Sequence, residues 1–235
     1  YYRPLDEAAD DFVRWAQSPH EQVFTGFADI DREVRGIAPG EFCMVTGYSH
    51  SGKTLVLMEM LRHNRNRKGI YFCPDEPRTL TLIKLACLTH NINALELERR
   101  VREDDQEAIE LLRTTARTEF PHLAVIDDPV SIIDMEKATA EISDVWGSSP
   151  DLVVMDYMEL LSGGGEDVPS KANTLKAWGR RRDLPLLVLH QTSRGSGAEG
   201  RTITISSGAF GGEQQATHII GVRRKLAEIR AHLKD

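Results

Sequence analysis

Residues 47–54 read GYSHSGKT, an octapeptide compatible with very few local structures. Gly47 and Gly52 bracket four residues and are followed by Lys53 and Thr54, the G-x-x-x-x-G-K-[ST] spacing of a phosphate loop. A tight turn with little side-chain bulk lets the main-chain N–H groups of Tyr48, Ser49, His50, Ser51 and Gly52 point inward at phosphate oxygens. The next helix presents its positive end, Lys53 adds a full charge, and the Thr54 hydroxyl can ligate Mg²⁺. The flanks suit that geometry. EFCMVTG (41–47) is an apolar run fit for a buried strand, and 54–69 has a helical pattern that runs into basic residues and Gly69, as a helix end prefers. Strand, loop and helix in this order predict a nucleoside triphosphate site.

The remaining chain bounds what can surround that site. Its 235 residues suit one large α/β domain with at most a small appendage. With 29 Lys and Arg against 36 Asp and Glu, the formal charge is -7, which excludes a globally basic coat for nucleic acid but not local basic loops. Cys43, Cys73 and Cys87 lie in apolar stretches without metal spacing and read as reduced core thiols of a cytoplasmic protein. His50 lies inside the phosphate loop and is expected to face solvent. No apolar run reaches membrane-spanning length, so no membrane partner is expected.

Strands are predicted at 41–47, 69–74, 122–127, 151–161, 184–191 and 217–224. Helices are predicted at 28–34, 54–69, 79–92, across 95–116, after a capping box at Ser131 and Asp134, and at 171–183, with a short acidic helix near the start. Strands alternating with helices imply a mostly parallel sheet flanked by helices on both faces. The Gly- and Ser-rich stretches at 162–165 and 194–200 suit either surface linkers or mobile ligand loops.

Four further residues, at the ends of three strands, suit phosphate chemistry. Asp156 follows the apolar run LVVM, at the carboxyl edge of a strand where α/β sheets bind ligands, and suits an acid that holds Mg²⁺; the bland alternative is a strand-end turn residue. Asp75 and Glu76 follow the strand at 69–74, and either can orient the attacking water; the bland alternative is a helix start, with Pro77 at an early helical position. Gln191 ends the strand at 184–191 and can sense a γ-phosphate through its amide.

Taken together, these pieces resemble the core ATPase of DnaB-like replicative helicases, within the wider RecA and KaiC group. FTGFADID and the APGE turn are similar to that family's T-G-x-x-x-[IL]-D and P-G-[DE] lead-in. DYMELL (156–161) is similar to D-Y-L-Q-L, HQTSR (190–194) to S-Q-L-N-R, and SSGAFGGEQQATHIIGVRR (206–224) to S-G-x-I-E-Q-x-A-D and its strand. The resemblance implies a RecA-like P-loop NTPase core over 24–225, after a short extension at 1–23 and before a helical tail at 226–235. It implies ATP and Mg²⁺ as cofactors, Asp156 as the Walker B acid, Gln191 as phosphate sensor and Asp75 or Glu76, the latter with longer reach, as catalytic carboxylate.

The same resemblance implies single-stranded or forked DNA as partner and a homo-oligomer, a hexamer if helicase-like. DNA would meet loops at 162–171, with Lys171, and 192–208, with Arg194 and Arg201, through salt-sensitive phosphate contacts. Arg223, Arg224 and Lys225 stand in for the family's trans-acting finger. Glu159 replaces a family Gln and Thr217 a family acid, and both are expected to face solvent. Helicases of this type carry an N-terminal helical domain, so the short stretch at 1–23 favours a second reading, a RecA- or KaiC-like regulatory or recombination module that binds DNA without unwinding. A third reading is Mg²⁺-dependent DNA cleavage.

Overall fold

Side chains alternate across the central strands with a period of two, and both resulting faces are apolar. Cys43 and Val45 face one way and Phe42 and Met44 the other; Tyr71 opposes Ile70 and Phe72, and Leu187 and Leu189 oppose Leu186 and Val188. Such strands need cover on both sides, which the α/β arrangement supplies. The computed structural model describes residues 4–17, 22–163, 165, 167–191 and 212–223.

The elements run α1 (Leu5–Gln17), α2 (Ala28–Val34), β1 (Phe42–Gly47), α3 (Lys53–His63), β2 (Gly69–Phe72), α4 (Arg78–His90), α5 (Ala94–Arg102), α6 (Gln106–Thr114), β3 (Leu123–Ile126), α7 (Ile132–Trp146), β4 (Leu152–Met155), α8 (Val168–Arg182), β5 (Leu186–Gln191) and β6 (His218–Gly221). The strands form one six-stranded sheet in the order β3-β2-β4-β5-β1-β6, with every pairing parallel. All carboxyl ends therefore meet along one edge. Leu57, Met58, Met60 and Leu61 of α3 and Leu85 of α4 pack on one face, and Met135 of α7 with Ala172, Leu175 and Trp178 of α8 pack on the other. Burial of each Leu or Met among them contributes roughly 1.5–3 kcal/mol.

The lead-in motif has a structural explanation. Asp31 accepts from Thr25 N at 2.7 Å, Thr25 Oγ1 at 2.7 Å and Gly26 N at 2.9 Å, so one carboxylate fixes the turn ahead of α2. Gly26 adopts φ 82°, and a Cβ there would meet His63 at 2.8 Å. Val23, paired with Ile37, is buried in the core. The Ser131 and Asp134 capping box opens α7 as its spacing predicts.

Several boundaries differ from the sequence expectation. α3 stops at His63 because Asn64 turns its side chain back onto Met60 O and Phe24 O, and Gly69 opens β2 rather than ending a helix. β4 stops at Met155; the run to 161 continues as a 3-10 turn, Met158–Leu160, whose Met158 and following Leu161 stay buried, so the apolar pattern persists without a strand. α8 starts at Val168, capped by Asp167 with Pro169 in its first turn, which places Lys171 on a helix rather than in the loop expected at 162–171.

Candidate functional site

The carboxyl edge of the sheet brings the ends of β1, β2, β4 and β5 together, and each carries a residue singled out by the sequence. β1 and β5 lie side by side with Gly47 opposite Gln191. Beyond β1 the chain turns through Tyr48–Gly52, with His50 exposed at φ 61° and Gly52 at φ 97°, and enters α3 at Lys53. A left-handed residue at position 52 favours glycine. Gly47 is required for a different reason: a Cβ there would lie 2.4 Å from the main-chain oxygen of Val222 and 2.8 Å from Ser51 Oγ. Val222 is itself fixed, its N–H donating to Thr46 O at 2.8 Å. Gly47→Ala is therefore expected to cost about 1–3 kcal/mol of stability and to lower turnover. Thermal melting checks this, and an unchanged midpoint would show that the end of β6 yields freely.

Lys53 is 8% exposed, and its ammonium donates to Tyr48 O at 2.8 Å. Burial lowers its proton affinity, opposed by the nearby carboxylates of Asp156 and Glu159. Asp156, one residue past β4, is 6% exposed and accepts from Tyr71 Oη at 2.9 Å and from the Thr54 hydroxyl. Burial raises its pKa above the ordinary carboxylate value, an effect that these two hydrogen bonds oppose. A buried carboxylate bonded to the phosphate-loop hydroxyl is a hard oxygen pair suited to Mg²⁺, which takes few protein ligands and completes its shell with water and substrate phosphates. Ser51 Oγ, also in the loop, is buried with no hydrogen-bond partner among the described residues.

Asp75 and Glu76 both precede α4, and neither lies in its first turn, since Pro77 is the capping position. Asp75 is exposed. Glu76 is half-buried and ion-paired through both oxygens to Lys84 of α4, at 2.6 Å for Oε2. Glu76 also adds to the field that raises the Asp156 pKa, so it belongs to the same cluster. The Gln191 side chain donates to Ser49 Oγ, which places its amide on the phosphate loop.

Other site residues were not foreseen. Tyr71 fills β2 and holds Asp156, and nothing in an apolar strand marks its hydroxyl as anything but a core phenol. Lys84 sits eight residues from its acid, a separation that no helical pairing rule flags. Glu159 corrects the solvent-facing expectation: Oε1 accepts from Gln191 N at 2.9 Å and meets His190 Nδ1 at 2.6 Å, while Oε2 is buried. The 3-10 turn, where a strand was expected, aims it inward. Thr217 is exposed as expected. Lys171 donates to Glu159 O at 2.6 Å from the first turn of α8. Arg223 is exposed two residues past β6. Arg194, Arg201, Arg224 and Lys225 lie outside the described residues. The cysteines are free; Cys43 and Cys73 are buried, their pKa values pushed up by burial to about 12 and about 11, and Cys87 is half-buried. Among the described residues no helix is long and apolar enough to cross a membrane.

Comparison with known proteins agrees with this fold. A family model described as the DnaB-like helicase C terminal domain matches residues 22–207. Among curated relatives, the replicative DNA helicase DnaB of Leifsonia xyli subsp. xyli (strain CTCB07) is 21% identical, the alignment covering 83% of this chain and 45% of that protein. A probable replicative DNA helicase of Guillardia theta is 24% identical over 73% of this chain and 30% of that protein. The chain thus spans less than half the length of these relatives. Of solved structures, the ATPase domain of G40P superposes with a TM-score of 0.79 at 18% identity, covering 95% of this chain and 84% of that one. A DnaB-like replicative helicase whose structure was described together with its interactions with primase gives 0.75 at 18% identity, over 98% and 59%.

Proposed function

This chain belongs to the DnaB-like helicase C-terminal domain family, and on that premise we propose that it is the ATP-hydrolysing core of a DNA-dependent motor acting in replication. The observation that carries the reading is the buried contact between Asp156 and the Thr54 hydroxyl beside Lys53, a paired metal and phosphate grip. Lys53 and the N–H groups of 48–54 hold the phosphates, and Thr54 with Asp156 holds Mg²⁺. When bound, that ion neutralises charge on the β- and γ-phosphate oxygens. Glu76 or Asp75 orients the attacking water, with Glu76 favoured by its half-buried place in the Asp156 cluster. Gln191, which rests on Ser49, exchanges that partner for the γ-phosphate. The ATPase core spans 24–225, with 1–23 and 226–235 as flanking extensions.

The partner is single-stranded or forked DNA, held by phosphate contacts from Lys171, Arg194 and Arg201. The active unit is a homo-oligomer, a hexamer by family analogy, in which Arg223, Arg224 or Lys225 completes a neighbour's site. ATPase rate measured against protein concentration, with and without single-stranded DNA, tests this. A rise steeper than linear that DNA enhances is expected; a linear rate indifferent to DNA would overturn the motor reading. ATP-dependent strand displacement on a forked duplex separates unwinding from binding alone.

A further inference from the structure

Two departures from the family's motifs touch each other. Glu159 stands in DYMELL where the resemblance has Gln, and His190 stands in HQTSR where it has Ser; their side chains meet at 2.6 Å between Oε1 and Nδ1. The same Oε1 accepts from Gln191 N at 2.9 Å, so the carboxylate grips two consecutive residues at the end of β5. One of them carries the amide that lies on Ser49 of the phosphate loop. Glu159 makes a second attachment with its main chain, since its carbonyl accepts from Lys171 Nζ at 2.6 Å. Lys171 belongs to the first turn of α8, directly after the loop assigned to DNA.

We propose that Glu159 is a positioning residue that relays the state of the phosphate site to Lys171: its carboxylate orients the Gln191 end of β5, and its carbonyl holds the cation that meets nucleic acid phosphate. This rests on the motor reading and deepens it. The relay is short and lies on a single rigid piece, the 3-10 turn Met158–Leu160, whose Met158 is fully buried. A shift of Gln191 from Ser49 to a phosphate oxygen pulls on Gln191 N and hence on the Glu159 carboxylate. The turn then moves as a unit, the carbonyl leaves Lys171, and the freed ammonium takes an external phosphate. Coupling between two sites is reciprocal, so DNA that captures Lys171 also biases Gln191 toward the nucleotide. His190, fully buried on β5, meets the same Oε1 and helps anchor the carboxylate to the end of that strand.

The test measures single-stranded oligonucleotide affinity by fluorescence anisotropy, with and without a non-hydrolysable ATP analogue, and takes the ratio of the two dissociation constants. Wild type is expected to show a ratio of about fivefold or more. Glu159→Ala is expected to bring it below about twofold. Glu159→Gln keeps an acceptor at the same reach and is expected to retain most of the wild-type ratio. Lys171→Met cuts the other arm at the surface of α8 and covers the case in which Glu159→Ala does not fold; it is expected to lose the ratio as well as overall DNA affinity. A wild-type ratio in Glu159→Ala or Lys171→Met, or full uncoupling in Glu159→Gln, would overturn the relay alone. Absence of any nucleotide effect in wild type would overturn the motor reading and the relay with it.

Discussion

Replacing Lys53 with alanine is expected to lower ATP turnover by at least about 10²-fold, because a preorganised charge aimed at developing phosphate charge has no substitute among its neighbours. Lys53→Arg is expected to fail as well: a planar fork cannot enter the turn where a compact ammonium reaches Tyr48 O at 2.8 Å. The fold should not suffer in proportion. Burial has lowered the Lys53 pKa, so between the folded and unfolded states the charged form is disfavoured by folding. That penalty is complete below the folded-state pKa and disappears only as pH rises past the unfolded value. At neutral pH, Lys53→Met, which keeps the apolar stem, is therefore expected to melt no lower than wild type while remaining inactive. Phosphate release and thermal melting on the same preparation check both halves. Normal turnover by Lys53→Ala would remove the basis for assigning the site.

How much of this was legible follows from how local each signal is. The phosphate loop, the presence and order of the six strands and the Ser131 capping box are set by neighbours within a few residues and match the sequence reading, although β4 and β6 are shorter than expected. Asp156 and Gln191 were legible because a parallel sheet sends all its carboxyl ends to one edge, so a polar residue ending an apolar strand arrives at the site without any knowledge of strand order. Tyr71, Lys84 and Glu159 depend on order and on turns. Tyr71 reaches Asp156 only because β2 and β4 are adjacent, with Phe72 opposite Met155. Glu159 points inward only because the chain leaves β4 after Met155 and coils. The apolar pattern from 151 to 161 suits strand and coil equally, since either buries Met158 and Leu161, and tertiary contact decides between them.

Asp156→Asn is expected to separate function from stability more sharply still. The substitution keeps the shape of the side chain and can satisfy both of its present contacts: the amide oxygen accepts from Tyr71 Oη, and the amide nitrogen donates to the Thr54 hydroxyl oxygen. What it removes is the charge that Mg²⁺ needs, so turnover is expected to fall by about 10²–10³-fold, the usual consequence of losing one preorganised electrostatic group. The charge is also what the fold resists. Burial holds the Asp156 pKa above its unfolded value, so folding takes up protons, and ionisation destabilises the native state. This cost is complete above the folded-state pKa and fades as pH falls through it toward the unfolded value. Without added nucleotide or Mg²⁺, the asparagine variant should melt above wild type at pH 7, and the gap should close as the pH is lowered toward about 4. Melting curves across that range, read beside phosphate release at pH 7, decide the matter. An asparagine variant that hydrolyses ATP at the wild-type rate would sink the metal assignment. One that melts below wild type at pH 7 would show that the Asp156 carboxylate is held for stability rather than retained at a cost for its chemistry.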